Sequence, residues 1–169
     1  CCNSSLGGCT LKDNSTGERN NAFGYRALQN HTTGCDNNGF GTNSMATITT
    51  GCYNTAAGSA SLYANTTGNG NTAMGMCALA GNTTAANNTS IGNGSMEANT
   101  TGASNVAVGY QALGTATTAD KNTAVGVKAL TSNTTGAGNT AVGWHAGKRI
   151  TTGGGNVVVG CCALPYLTT

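Results

Sequence analysis

Reading every seventeenth position of this chain returns the same residue types ten times, without an insertion or a deletion. The units start at Asn3, Asn20, Asn37, Asn54, Asn71, Asn88, Asn105, Asn122, Asn139 and Asn156, so residues 1–169 form a single repeat domain. The consensus is Asn-Thr-Ala-Val-Gly-x-x-Ala-Leu-x-x-Asn-Thr-Thr-Gly-x-x. Asn at position 1, Gly at position 5 and Thr at position 14 occur in all ten units.

A unit this short excludes helix-pair repeats, which need about 33 residues or more. Apolar residues lack a helical period, and Gly interrupts every unit, so a helical reading fails. The spacing fits one coil of an all-β parallel β-solenoid (a β-roll or β-helix) of about ten coils. At the usual strand spacing of about 4.8 Å, the ten coils would span roughly 48 Å. Each unit holds two short β-competent pieces, each followed by Gly or Asn punctuation. One unit cannot bury its large apolar residues at positions 4 and 9. Stacked units are expected to do so, with position 4 over position 4 and position 9 over position 9. The Gly at position 5 points to a turn with positive φ or a close backbone approach. The column Asn20, Asn37, Asn54, Asn71, Asn88, Asn105, Asn122 and Asn139 is expected to form a structural amide ladder along the axis.

Composition narrows the function classes. Charged residues are 7% of the chain, against about 25% in ordinary soluble domains. With 38% hydrophobic residues, a charge-expanded disordered chain is a poor fit. Basic residues are scattered rather than clustered in a stripe with aromatics, so nucleic acid is not an expected partner. No apolar run approaches the length needed to cross a bilayer, so no membrane span is expected. The acidic residues Asp13, Glu18, Asp36, Glu97 and Asp120 fall in different coils, and His31 has no evident Ser and acid partners. Gly153-Gly154-Gly155 lacks the Lys-Ser/Thr of a phosphate loop. An enzyme, a cofactor and a metal site are therefore not expected. His145 and Cys162, one above the other at position 7 with Cys161 alongside, lack a fourth metal ligand.

The motif Asn-Thr-Ala-Val-Gly-x-x-Ala-Leu followed by Asn-Thr-Thr-Gly is clearest between Asn105 and Gly143, including Val108-Gly109-Tyr110-Gln111-Ala112-Leu113. It resembles the repeats of phage tail-fibre proteins and the heads of trimeric autotransporter adhesins. The resemblance implies a left-handed parallel β-roll, often trimeric, that extends or displays a binding surface. The adhesin-head repeat is shorter than the unit found here.

Eight cysteines with almost no His suggest an oxidising, secreted setting. Cys1, Cys2, Cys9, Cys161 and Cys162 lie in the terminal units. The chain starts at positions 16 and 17 and stops at position 14, and no cap is evident at either end, so head-to-tail continuation is expected. Cys9 and Cys162 both occupy position 7 and would meet across such a junction. Cys35 and Cys52, at position 16 of adjacent units, could bridge within the chain, since stacked Cα atoms fall in the disulfide range of about 4.4–6.8 Å. Cys77 has no evident partner.

Asn14, Asn65, Asn82, Asn99 and Asn133, at position 12, match the N-x-[ST] glycosylation pattern, as do Asn3, Asn30, Asn87, Asn88 and Asn93. The competing reading is turn and ladder chemistry. The paired Thr columns at positions 13 and 14 raise ice binding as a lesser alternative, but neighbouring strand residues face opposite ways and leave one outward rank. Tyr25, Met76, Tyr110, Val127 and Trp144, at position 6, are candidates for an exposed apolar stripe or a seam with sister chains. The functional expectation is a segment of an extracellular fibre whose partner is itself, as a head-to-tail homopolymer or homotrimer. The alternative is an adhesin or tail-fibre module that binds a surface glycan or receptor.

Overall fold

The computed structural model describes residues 2–164. Cys1, a junction candidate, lies outside the described residues, as does the final Thr169. The described chain is all-β: ten strands of three residues, from β1 (Ser4–Leu6) to β10 (Val157–Val159), form one parallel sheet in sequence order. Every pairing is offset by one unit, as in Phe23↔Phe40, Ala73↔Ser90 and Val125↔Val142. The molecule is a β-solenoid. At about 4.8 Å per strand its ten stacked strands span roughly 43 Å. Among the described residues no helix is long and apolar enough to cross a membrane.

Only positions 2–4 form a strand. The second β-competent piece, around positions 8 and 9, is turn instead. Its Leu and Met residues at position 9 take φ between +45° and +53°, the left-handed region that costs an L residue roughly 1–2 kcal/mol. Two interactions offset that cost. The side chains of Leu28, Met45, Leu62, Leu79, Met96, Leu113 and Leu130 are fully buried, worth about 1.5–3 kcal/mol each. The position 9 amide also donates to the carbonyl of position 8 in the next coil, as Leu28 does to Ser44 at 3.0 Å. Positions 7 and 17 are left-handed as well and donate to the preceding coil, as in Arg26 to Gly8 and Asp36 to Glu18.

The core differs from the expected one. Position 4 does not stack inside. Phe23, Phe40, Met74, Ile91 and Val142 are exposed on the outer face of the sheet, while position 3 (Ala22, Ala56, Ala73, Ala107, Ala124, Ala141) is completely buried. The interior holds a large side chain at position 9, joined at position 12 by Asn, His31, Ile48 or Ile150, and the strand residue facing position 9 must be small. A Cβ on Gly39, at position 3, would lie 2.3 Å from Leu28 Cδ1 and 3.3 Å from Met45 Cε. The relationship inverts near the C-terminal end. Gly147 replaces the position 9 Leu, and Val158 replaces the position 3 Ala and reaches to 3.7 Å from a Cβ built on Gly147.

The Gly at position 5 meets both expected conditions. Its φ lies between +122° and +141° throughout, and a Cβ on Gly75 would lie 2.7 Å from the Gly92 backbone.

Candidate functional surfaces

The position 1 amides run along the interior of one corner. Asn20, Asn37, Asn54, Asn71, Asn88, Asn105, Asn122 and Asn139 are fully buried. Each Oδ1 accepts the backbone N–H of the next Asn in the column, as in Asn54 to Asn37 (3.1 Å) and Asn105 to Asn88 (2.9 Å). Each Nδ2 donates to the position 15 carbonyl of its own coil, as in Asn37 to Gly51 (2.8 Å) and Asn105 to Ala119 (2.7 Å). One side chain thus ties the start of a coil to its end and to the neighbouring coil. This consumes buried donors and acceptors that would otherwise each cost about 1–3 kcal/mol.

Position 12 carries a second, interrupted column. Asn65, Asn82, Asn99 and Asn133 are fully buried, and their Nδ2 atoms donate to Gly68, Ala85, Gly102 and Gly136 carbonyls at 2.8–3.1 Å. The sequon reading of these four is therefore corrected. The nitrogen that would carry a glycan is inside the coil and engaged, so the folded solenoid has no room for a sugar there. Asn14 is half-buried and donates to Gly17 at 3.2 Å. Asn88 is buried as well, whereas Asn3, Asn30, Asn87 and Asn93 are exposed. Where the column meets Ala116, the Asn99 Oδ1 is buried without a partner. His31 joins the column fully buried, with Nδ1 3.0 Å from Asn14 Oδ1 and Nε2 3.3 Å from Asn37 Nδ2. Burial holds its imidazole below the ordinary His value.

The cysteines among the described residues are free thiols. The Cys52 Sγ accepts the Cys35 backbone N–H at 3.1 Å. It takes the place that Asn69 Oδ1 and Asp120 Oδ1 fill at the same position in other coils. Cys2, Cys9 and Cys161 are exposed and Cys162 is half-buried. The Cys161 and Cys162 sulfurs lie 3.9 Å apart, and that contact raises the Cys161 thiol above its ordinary value. No group of three His, Cys, Asp or Glu side chains suited to a metal occurs among the described residues.

The Thr columns divide. Position 13 hydroxyls donate to the next coil's carbonyl, as in Thr32 to Thr49 and Thr100 to Thr117 at 3.0 Å, and position 14 hydroxyls form a single exposed rank. On the turn side, Gly94, Glu97, Gln111, Gly114, Thr115 and Thr131 line an open notch of about 230 Å³. Arg19 grips Asp36 in the next coil through Nε and Nη2 at 2.7 and 2.9 Å, and that hydrogen bonding holds the Asp36 carboxyl below its usual range.

The largest surface feature is the outer face of the sheet. All but Tyr53 and Tyr63 of the exposed large hydrophobic side chains fall at positions 2, 4 and 6. They include Phe23 and Phe40, whose rings stack at 5.3 Å and 5°. No charged residue occupies these positions in any of the ten units. Position 6 stands out in the sequence, but position 4 reads there as core. Position 3, small in every unit but the last, was the available signal, because alternation puts positions 2 and 4 together on the opposite face.

The fold defines the class of protein: a parallel β-solenoid held by buried amide columns. Beyond that class, no family model, curated protein or solved structure matches the chain.

Proposed function

We propose that this chain is a structural segment of an extracellular fibre, a column whose work is mechanical and interactional. The observation that carries this reading is the position 1 column. Each coil offers the next the same Oδ1 acceptor and receives the same N–H donor, so a further coil of the same pattern adds in register. Coil addition of this kind has no internal stop, which suits axial continuation in a longer chain or between molecules. The low charge and the abundance of small polar residues support a passive, packed column. The exposed Cys9 and half-buried Cys162 are the candidates for locking a junction between copies under oxidising conditions.

Electron microscopy of the concentrated protein tests the reading. Filaments much longer than the roughly 43 Å of one chain are expected, with a ladder on non-reducing gels that collapses on reduction if Cys9 and Cys162 lock the junctions. Discrete particles of single-chain length, oxidised or reduced, would defeat it.

A second reading, a receptor-binding module, is favoured by the notch at Glu97. Its carboxylate, the Gln111 amide and the Thr115 and Thr131 hydroxyls present the hydrogen-bonding groups that a saccharide needs. Binding on a glycan array that is lost in Glu97→Ala would select this reading. An array with no signal would remove it.

A further inference from the structure

We propose that the outer face of the sheet, with its exposed apolar rank at position 4, is the seat of a second copy of this chain, docked side by side with the first. This inference rests on the fibre reading and gives it a lateral direction.

The face is built by the solenoid itself. Positions 2 and 4 point outward from a three-residue strand whose middle residue is buried, and position 6 continues the surface past the Gly turn. Stacking converts each position into a rank: Ser, Thr or Asn with Val106 and Val157 at position 2, apolar residues from Phe23 to Val142 at position 4, and Tyr25, Met76, Tyr110 and Trp144 among small polar residues at position 6. Exposures of 42% at Met74, 54% at Met76 and 52% at Trp144 exceed what the solenoid needs for folding, because its core is already filled by positions 3, 8, 9 and 12.

Two observations select another copy as the occupant. The first is area. Three ranks along ten coils cover about 43 Å by 15 Å, or roughly 650 Å² on each copy and 1,300 Å² when two meet. Stable interfaces bury about 1,200–2,000 Å² in total. The second is charge and period. The three ranks carry no charge of their own, the nearest cations being Arg26 and Lys128 over the Tyr25 and Tyr110 rings at one rim, and a second copy presents ridges at the same axial interval. Side chains at equal spacing interdigitate along the whole length, as in packed sheets about 10 Å apart. A two-fold arrangement uses the same patch on both chains and closes on itself.

The test is sedimentation of the full chain under reducing conditions, which removes any disulfide contribution. At about 100 µM the wild type is expected to run at an integral multiple of 16.6 kDa. The double variant Ile91→Asp/Val125→Asp, altered at outward positions, is expected to run as a monomer with an unchanged circular-dichroism spectrum. If it fails to fold, Met76→Lys and Met76→Glu serve instead: each alone is expected to weaken association at least tenfold, and an equimolar mixture to restore it. Thr84→Asp/Thr101→Asp, on the exposed position 14 rank, is expected to change nothing. A wild type that stays monomeric, or charged-face variants that still associate, would overturn the proposal. A lateral assembly that never lengthens into filaments would retain this face and remove the fibre reading. Filaments that persist with the face charged would do the reverse.

Discussion

The two asparagine columns look alike in sequence and behave differently in the fold. The position 1 column is unbroken from Asn3 to Asn156. The position 12 column admits His31, Ile48, Ala116, Ile150 and Leu167 among its asparagines. The difference lies in what each amide holds. A position 1 Oδ1 accepts a backbone N–H from the neighbouring coil, and its Nδ2 closes its own coil across 14 residues. A position 12 amide grips a carbonyl three residues away and touches the neighbouring coil only through another side chain. Loss of the first strands a backbone N–H of the neighbouring coil, whereas loss of the second leaves its carbonyl still held by the position 1 amide. The repeat tolerates apolar residues only where the bond is local.

The sharpest way to break this comparison is Asn88→Ala. It leaves the buried Asn105 N–H without its acceptor and takes one of the two amide donors from the Gly102 carbonyl, which Asn99 still reaches. A loss of about 2–3 kcal/mol is expected, most of it for the stranded N–H, read as a fall in the urea midpoint. The matched change in the other column, Asn82→Ala, removes one of the two donors to the Ala85 carbonyl, which Asn71 still holds, and is expected to cost about 0.5–1.5 kcal/mol. Equal losses in the two variants would refute the distinction.

His31 sharpens the comparison through pH. Its Nδ1 lies against Asn14 Oδ1 and its Nε2 against an Asn37 amide donor, an arrangement that suits the neutral ring with its proton on Nδ1. Its folded-state value is held below the ordinary value of about 6.5, so the unfolded chain binds the proton more tightly. The stability contributed by the neutral ring is therefore complete above about pH 6.5 and is lost as pH falls below it. Thermal melts from pH 7.5 to 5 should show that decline, and His31→Asn should flatten it. An unchanged slope in the variant would assign the dependence elsewhere.

The smallest expected effect is a gain. Ala116→Asn places a donor beside the orphaned Asn99 Oδ1 and should stabilise the chain by about 1 kcal/mol. A melting temperature at or below the wild-type value would show that the break in the column is already compensated.

Much of this architecture is legible in the sequence. Invariant Asn20 to Asn139 and Gly24 to Gly143, at a fixed interval, require equivalent residues to stack, and that sets the class, the register and the unit length. The glycan candidates are not separable by pattern. Asn65 and Asn93 satisfy the same motif, yet only the path of the coil puts one inside and the other outside. The left-handed leucines at position 9 are also hidden, because side-chain burial there outweighs a backbone preference that local sequence would respect.

The sequence alone determined the interval, since identical units can satisfy their edges only by lying over one another in register. The tertiary structure decided which side of each strand became interior. A coil this short closes around a cross-section that Leu or Met at position 9 and the Asn, His or Ile at position 12 already fill. Alanine at position 3 must then face inward, and the larger residue beside it is turned out to the surface, where it builds the face proposed for a second copy.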